Sequence, residues 1–120
     1  MRCNVVLFGE GETQNFSCTG ELFLFEGSFS LSYFFGFDPC FLTYNGELLT
    51  HKKSGEIPVS IEFAENKKTL CKIGNGEFSG KIHVFTKSLI VQKDTRKISV
   101  EVVYELDGEE RQMKISAESF

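Results

Sequence analysis

The sequence predicts an all-β protein, a single antiparallel meander that closes into a barrel of about 8 to 10 strands. Short runs of alternating apolar and polar residues are separated by Gly, Asn and Asp at intervals of about ten residues. No stretch shows the apolar i, i+3, i+4, i+7 recurrence of an amphipathic helix. A chain of 120 residues fits one domain, so residues 1–120 are expected to share one core.

The C-terminal hairpin gives the clearest evidence for strands. Apolar residues occupy every second position from Ile98 to Leu106 and again from Met113 to Ala117. This period of two is typical of strands with one buried face. Asp107 and Gly108 lie between the two runs, and both residue types tolerate the positive φ of a tight hairpin turn. Two strands are not stable alone, so the rest of the chain is expected to complete the sheet.

A second tight hairpin is predicted at Asn45 and Gly46, which lie between Tyr44 and Leu48. Asn followed by Gly is the strongest sequence signal for a two-residue type I′ turn, because both central residues need a positive φ.

A β-bulge is predicted in the long strand that contains Ile82 and Val84. These two apolar residues occupy even positions, whereas Leu89 and Val91 occupy odd ones, so the alternation slips near residues 86–88. Bulges of this kind help a sheet to curl into a barrel. The predicted strands are residues 2–8, 13–18, 20–26, 28–35, 40–44, 47–53, 57–63, 67–73, 80–92, 97–106 and 111–118.

Composition indicates an ordinary soluble domain, with 41% hydrophobic and 25% charged residues. The apolar run Val5–Phe8 is far too short for a signal peptide. The run Tyr33–Phe37 is interrupted by Gly36 and does not approach the length of a membrane helix. We therefore expect a cytoplasmic protein with no membrane contact.

Phenylalanine and cysteine are both expected mainly in the core. The chain has 13 Phe, and Phe fills apolar space without a polar group. The four cysteines form no CxxC pair and have no histidine at metal-ligand spacing, so free and mostly buried thiols are predicted. No metal site and no cofactor are expected.

Nothing in the sequence specifies an enzyme. His51 and His83 are the candidate near-neutral acid or base groups, and His83 is predicted on the solvent face opposite Ile82 and Val84. The glycine-containing stretches at 9–11 and 74–76 do not lead from a strand into a helix, so they predict turns rather than phosphate-binding loops.

Several positions together resemble the bacterial YwiB-like family of uncharacterised proteins. The resemblance covers about residues 12–118. It rests on Ile61, Glu62 and Phe63; Gly76 in the turn from Lys72 to Phe78; Ile82, Val84, Thr86 and Leu89; Val103 to Asp107; Ile115; and, in the first half, Phe16, Gly20, Leu31 and Tyr33. It implies a calycin-type, lipocalin-like barrel with no established activity.

The chain departs from the family pattern at two places. Phe34 and Phe35 replace an acidic pair that follows the tyrosine matching Tyr33, and Ile73 replaces an aromatic residue before the Gly turn. The resemblance therefore supports the fold and leaves the function open.

A first hypothesis is a non-enzymatic barrel that binds a small, largely apolar ligand in its interior or mouth. The predicted ligand-binding residues are Tyr33, Tyr104, Phe29, Leu31 and Val84. Tyr33 and Tyr104 would supply the polar contacts, because each combines an inward position with a hydroxyl group. The alternative is a barrel that its own side chains fill.

A second hypothesis is an interaction module. Residues 1–50, 51–97 and 98–120 have formal charges of −5, +5 and −4, which sum to the net charge of −4. The Lys-rich block at 51–97 could form one face that binds an acidic protein or nucleic acid. The alternative is an ordinary solvated surface, in which lysines protect exposed strands from aggregation. The oligomeric state stays open.

Overall fold

In the computed structural model, which describes residues 1–8, 15–76 and 79–120, ten strands close into one antiparallel barrel. The strands are β1 Arg2–Phe8, β2 Asn15–Phe25, β3 Ser28–Phe35, β4 Asp38–Tyr44, β5 Leu49–Lys53, β6 Val59–Phe63, β7 Lys68–Ile73, β8 Gly80–Lys93, β9 Lys97–Leu106 and β10 Glu109–Ser119. The predicted fold class is confirmed. Among the described residues, no helix is long and apolar enough to cross a membrane.

Every strand pairs with its neighbours in the sequence, and the first strand closes the barrel by pairing with the last. Val5 in β1 lies opposite Cys18 in β2 on one side and opposite Ala117 in β10 on the other. The connectivity is thus an up-and-down meander, in which each strand hydrogen-bonds to two others and no edge is left to aggregate.

The core lies inside the barrel and is formed by the inward positions of all ten strands. Phe29, Phe63, Leu22, Leu31, Leu42, Leu49, Ile98, Ile115, Val5, Val84, Val100 and Val102 are its largest fully buried side chains. These large side chains face one another across the barrel, so their burial is the main term that stabilises the fold.

The predicted turns have different outcomes. Asp107 and Gly108 have φ values of 51° and 79°, and Leu106 pairs with Glu109, so this two-residue hairpin is confirmed. The prediction of a two-residue turn at Asn45 and Gly46 is wrong. Tyr44 pairs with Leu49, which makes a four-residue loop.

The side chain of Asn45 explains that longer loop. Its Oδ1 accepts hydrogen bonds from the backbone N–H groups of Glu47 and Leu48, at 3.0 and 2.7 Å. An Asn side chain that bonds the backbone two or three residues ahead favours such a loop over a tighter turn.

The predicted bulge is confirmed, since the pairing of β8 with β9 shifts between Thr86 and Ser88. Predicted strands 13–18 and 20–26 merge into the single strand β2, which runs through Gly20. The predicted turn at residues 9–11, the first two residues of predicted strand 13–18 and Phe78 lie outside the described residues.

Candidate binding surface

The five predicted ligand-binding residues all lie on the inside of the barrel. Phe29, Leu31, Tyr33 and Val84 are buried, and Tyr104 is half-buried. Phe29 contacts the ring of Tyr44 at a centroid distance of 5.9 Å, and Tyr104 meets the ring of Phe63 edge-on at 4.8 Å. These residues pack against other core side chains, so the described interior favours the filled barrel over the open one.

Tyr33 and His51 form the main polar contact among the described inward side chains. The Tyr33 hydroxyl and His51 Nε2 are 2.6 Å apart, on β3 and β5. Burial lowers the pKa of His51 to about 4, with the nearby Lys53 charge as a smaller cause, and burial raises the pKa of Tyr33. The pair is therefore neutral at pH 7, and each group satisfies the other away from water.

The cysteines give no sign of nucleophilic or metal chemistry within the described part of the chain. All four are free thiols; Cys3, Cys40 and Cys71 are buried and Cys18 is half-buried, as predicted. Burial raises the pKa of each thiol, which disfavours the reactive thiolate. No three His, Cys, Asp or Glu side chains in the described ranges are grouped to hold a metal ion.

Phenylalanine was predicted mainly in the core, and this prediction is wrong for most of the described phenylalanines. Among the described phenylalanines, only Phe29 and Phe63 are buried. The exposed ones are Phe16, Phe23, Phe25, Phe34, Phe35, Phe37, Phe41 and Phe120. Several occupy outward strand positions, where the alternation places them regardless of their hydrophobicity. Clustered exposed aromatic residues are uncommon on soluble proteins and mark interaction surfaces.

Small side chains occupy the outer face of β3 between larger ones on its neighbours, and we call this strip the groove. Its floor is formed by half-buried serines at alternate positions, Ser28, Ser30 and Ser32. On the β2 side, Phe25 lies opposite Ser28 and Phe23 lies opposite Ser30. These two rings are 56% and 52% exposed. The small residues of β3 are thus flanked by exposed aromatic residues of β2.

Phe41 forms the opposite wall of this groove, because it lies directly across from Ser32 on β4. Phe34 lies opposite Pro39, two residues from Phe41, so the two rings are diagonal neighbours. The Phe34 side chain is 59% exposed and the Phe41 side chain is 43% exposed. Both rings line a depression of about 370 Å³ at this end of the groove, together with Ser32.

A row of lysines continues from Phe41 around the barrel. Phe41 pairs with Lys52, Lys52 with Ser60, Ser60 with Lys72, and Lys72 with Lys81. Paired residues share one face of an antiparallel sheet, so this row lies on the outer surface of β4 to β8. We call it the lysine row. None of its three lysines forms an ion pair with another described residue.

The other basic residues of the 51–97 block are placed elsewhere. Lys53 lies 3.8 Å from the Asp38 carboxylate, and Lys87 lies 3.1 Å from Glu105 and 2.8 Å from Glu110. The remaining five lie in or beside connecting segments, namely Lys67, Lys68, Lys93, Arg96 and Lys97. The block therefore places three of its lysines in one row, and its basic residues do not form one continuous face.

Charges of both signs lie at the opposite end of the same cross-strand row. Ser32 pairs with Phe41 on one side and with Glu21 on the other. Glu21 pairs in turn with Arg2 on β1. The Glu21 carboxylate also lies 3.6 Å from the Met1 ammonium, so this end of the row holds charges of both signs, whereas the Lys52 end is cationic.

Sequence reasoning missed this surface, although part of its signal was present. Leu22 and Leu24 fix the inward phase of β2, and this places Phe23 and Phe25 outside. The same logic with Leu42 places Phe41 outside. The alignment of Phe41 with Lys52, Lys72 and Lys81 depends on strand register, which alternation alone does not give.

Fold and surface together define a closed antiparallel barrel with a well-packed interior and an aromatic and cationic outer face. Residues 7–117 match the family model described as a domain of unknown function, DUF1934, so the chain belongs to that family. The resemblance predicted from the sequence is thereby confirmed.

A solved structure shows the same fold. The chain is similar to the ywiB protein from Bacillus subtilis, with a TM-score of 0.76 and 18% sequence identity. The similarity covers 99% of this chain and 89% of that one. At this identity it supports the fold alone. No curated protein matches the sequence.

Proposed function

We propose that this protein is a non-enzymatic binding module that holds a polyanionic macromolecule against the outer surface of β4 to β8. The observation that carries the proposal is the lysine row, with three exposed and unpaired cations on one face. Lys72 and Lys81 are directly opposite each other, an arrangement that repels and costs stability unless an anion lies between them.

The net charge of the whole chain restricts where a polyanion can bind. A net charge of −4 repels polyanions from most of the surface, so binding is confined to the places where cations cluster without acidic partners. The proposed location is the cytoplasm, as the sequence predicts, and catalysis is not part of the proposal.

The interior-ligand hypothesis, with the calycin-type barrel that the resemblance implies, stays a prediction. The inward side chains of the described strands contact one another, and Tyr33 already has a partner in His51. Native mass spectrometry of protein purified from its own host tests it. A mass excess of a few hundred daltons that is lost on denaturation would revive an interior ligand.

Heparin affinity chromatography tests the outer surface. We expect wild-type protein to be retained at low salt and to elute as salt rises, because binding releases counterions. The variant K52Q/K72Q/K81Q should flow through or elute at clearly lower salt. Circular dichroism should show that its fold is unchanged, since all three side chains are outward.

The matched control is K93Q/K97Q/K114Q, which also changes the net charge from −4 to −7. These lysines lie around a different part of the barrel, near Asp94 and Glu118. The control should elute like wild type. Equal losses in the two variants would mean that only total charge matters, and the proposed site would then be wrong.

A further inference from the structure

We propose that the polyanion is a single-stranded nucleic acid whose bases stack on Phe41 and Phe34 while its phosphates lie along the lysine row. This inference rests on the proposed function and names the class of partner. It depends on three properties of the outer surface: accessible rings, a hydroxyl-lined floor beside them, and cations on one side of them.

The rings of Phe41 and Phe34 are placed to stack with flat groups. Both are outward and about half exposed, and they are diagonal neighbours on adjacent strands. A depression of about 370 Å³ lies beside them. Exposed aromatic rings beside a cationic track are the combination that binds single strands, because every base has a flat face that can stack.

The floor of the groove suits the edges of bases better than an apolar side chain. Ser30 and Ser32 are half-buried, and their hydroxyls bond no other described side chain or backbone group. A hydroxyl can donate or accept a hydrogen bond, so it can meet either kind of group on a base edge. A purely apolar partner would leave these hydroxyls unsatisfied.

The lysine row determines where the phosphates lie. Lys52 lies directly opposite Phe41. The phosphates of a strand whose bases reach Phe41 are therefore attracted toward β5. From Lys52 to Lys81 the row crosses three strand spacings, about 14 Å, which offers several successive phosphates a cation.

A single strand fits this surface better than a duplex or an acidic peptide. The bases of a duplex are stacked inside it, so Phe34 and Phe41 would stay exposed to water. An acidic peptide would engage the lysines, yet it lacks flat rings for both phenylalanines. The observations thus favour a strand with unpaired bases, either DNA or RNA.

The test is fluorescence anisotropy with labelled oligo(dT) and oligo(U) of about 12 nucleotides. A labelled duplex of the same length is measured in the same way. Unlabelled poly-glutamate is measured by its competition with the labelled single strand. We expect single strands to bind more tightly than the duplex. With three phosphates contacted, the logarithm of the binding constant should fall with the logarithm of salt at a slope of about −2. The relative affinities for oligo(dT) and oligo(U) distinguish DNA from RNA.

Substitutions separate stacking from apolar contact. Phe41→Leu and Phe34→Leu should each weaken single-strand binding by about 5- to 150-fold, because Leu is apolar but cannot stack. Phe41→Tyr keeps a ring and should bind like wild type. Ile90→Ala is the control for an exposed apolar residue on another strand, and it should have no effect.

Each outcome decides between the two proposals. Lysine-dependent binding of poly-glutamate or heparin without preference for single strands would overturn this inference and leave the proposed function standing. Tight binding by the Leu variants would also overturn the stacking role. If no polyanion binds wild-type protein even at low salt, both proposals are wrong.

Discussion

At the scale of single residues, the contact between Tyr33 and His51 is the clearest source of pH dependence. The two side chains lie 2.6 Å apart inside the barrel, and burial holds the pKa of His51 at about 4, below its ordinary value of 6.5. Protonation must charge this half-buried ring, which is largely desolvated, so the unfolded chain takes up the proton more readily than the folded one.

We therefore expect the free energy of unfolding to be highest above pH 6.5 and to fall as the pH drops toward 4. Between pH 7 and pH 5 the loss from His51 alone should be about 2 kcal/mol. Urea denaturation at the two pH values measures it. His51→Gln should abolish most of the difference, whereas His83→Gln, a change at an exposed histidine, should retain it. A wild-type stability that is equal at both pH values would contradict the prediction.

At the scale of secondary structure elements, β2 shows how one glycine lets two strands approach. Gly20 has an inward position between Cys3 in β1 and Tyr33 in β3. A Cβ atom at Gly20 would collide with the backbone carbonyl oxygen of Ser32 and would lie 3.0 Å from Val5 Cγ2. Glycine at this position therefore permits the close approach of β2 and β3 within one continuous strand.

Gly20→Ala should therefore destabilise the barrel by about 1 to 3 kcal/mol, since backbone atoms cannot move aside easily. Gly80→Ala is the matched control in β8, where a Cβ atom would meet no atom within 4 Å. The control should be neutral or slightly stabilising, because Ala restricts the unfolded chain. Thermal unfolding, monitored by circular dichroism, compares the two variants. Similar melting temperatures for both would refute the steric argument.

At the scale of the whole molecule, closure by β1 holds the two ends of the meander together. Val5 is fully buried and lies opposite Cys18 and Ala117, so one residue contacts strands from both ends of the chain. Without this strand, β2 and β10 would each have an unpaired edge and the core would be open on that side.

Val5→Asp should prevent closure, because an unpaired charge in the core costs several kcal/mol, comparable to the total stability of a domain. Size-exclusion chromatography and circular dichroism should show unfolded or aggregated protein. Asn4→Asp places the same carboxylate on the exposed face of β1 and should fold normally. A well-folded monomeric Val5→Asp variant would show that closure by β1 is dispensable.

Local patterns in the sequence determined the strands, the hairpin at Asp107 and Gly108, and the bulge near Thr86. They also determined the inward positions of Tyr33, Phe29, Leu31 and Val84. Alternation and positive-φ preferences act over a few residues, so they can be read without knowing what the chain packs against. The Asn45 loop shows the limit, since hydrogen bonds from one side chain changed the turn.

Only the tertiary structure decided which outward residues become neighbours. Phe41, Lys52, Lys72 and Lys81 come from four strands, and the hydrogen-bonded register between those strands aligns them. Register depends on loop lengths and on the closure of the barrel by β1 and β10, and neither is encoded in the alternation of any single strand. Hydrophobicity alone also predicted the wrong location for most of the described phenylalanines. The phase of a strand decides which face a side chain occupies, and for Phe23, Phe25, Phe34 and Phe41 that face is the outer surface.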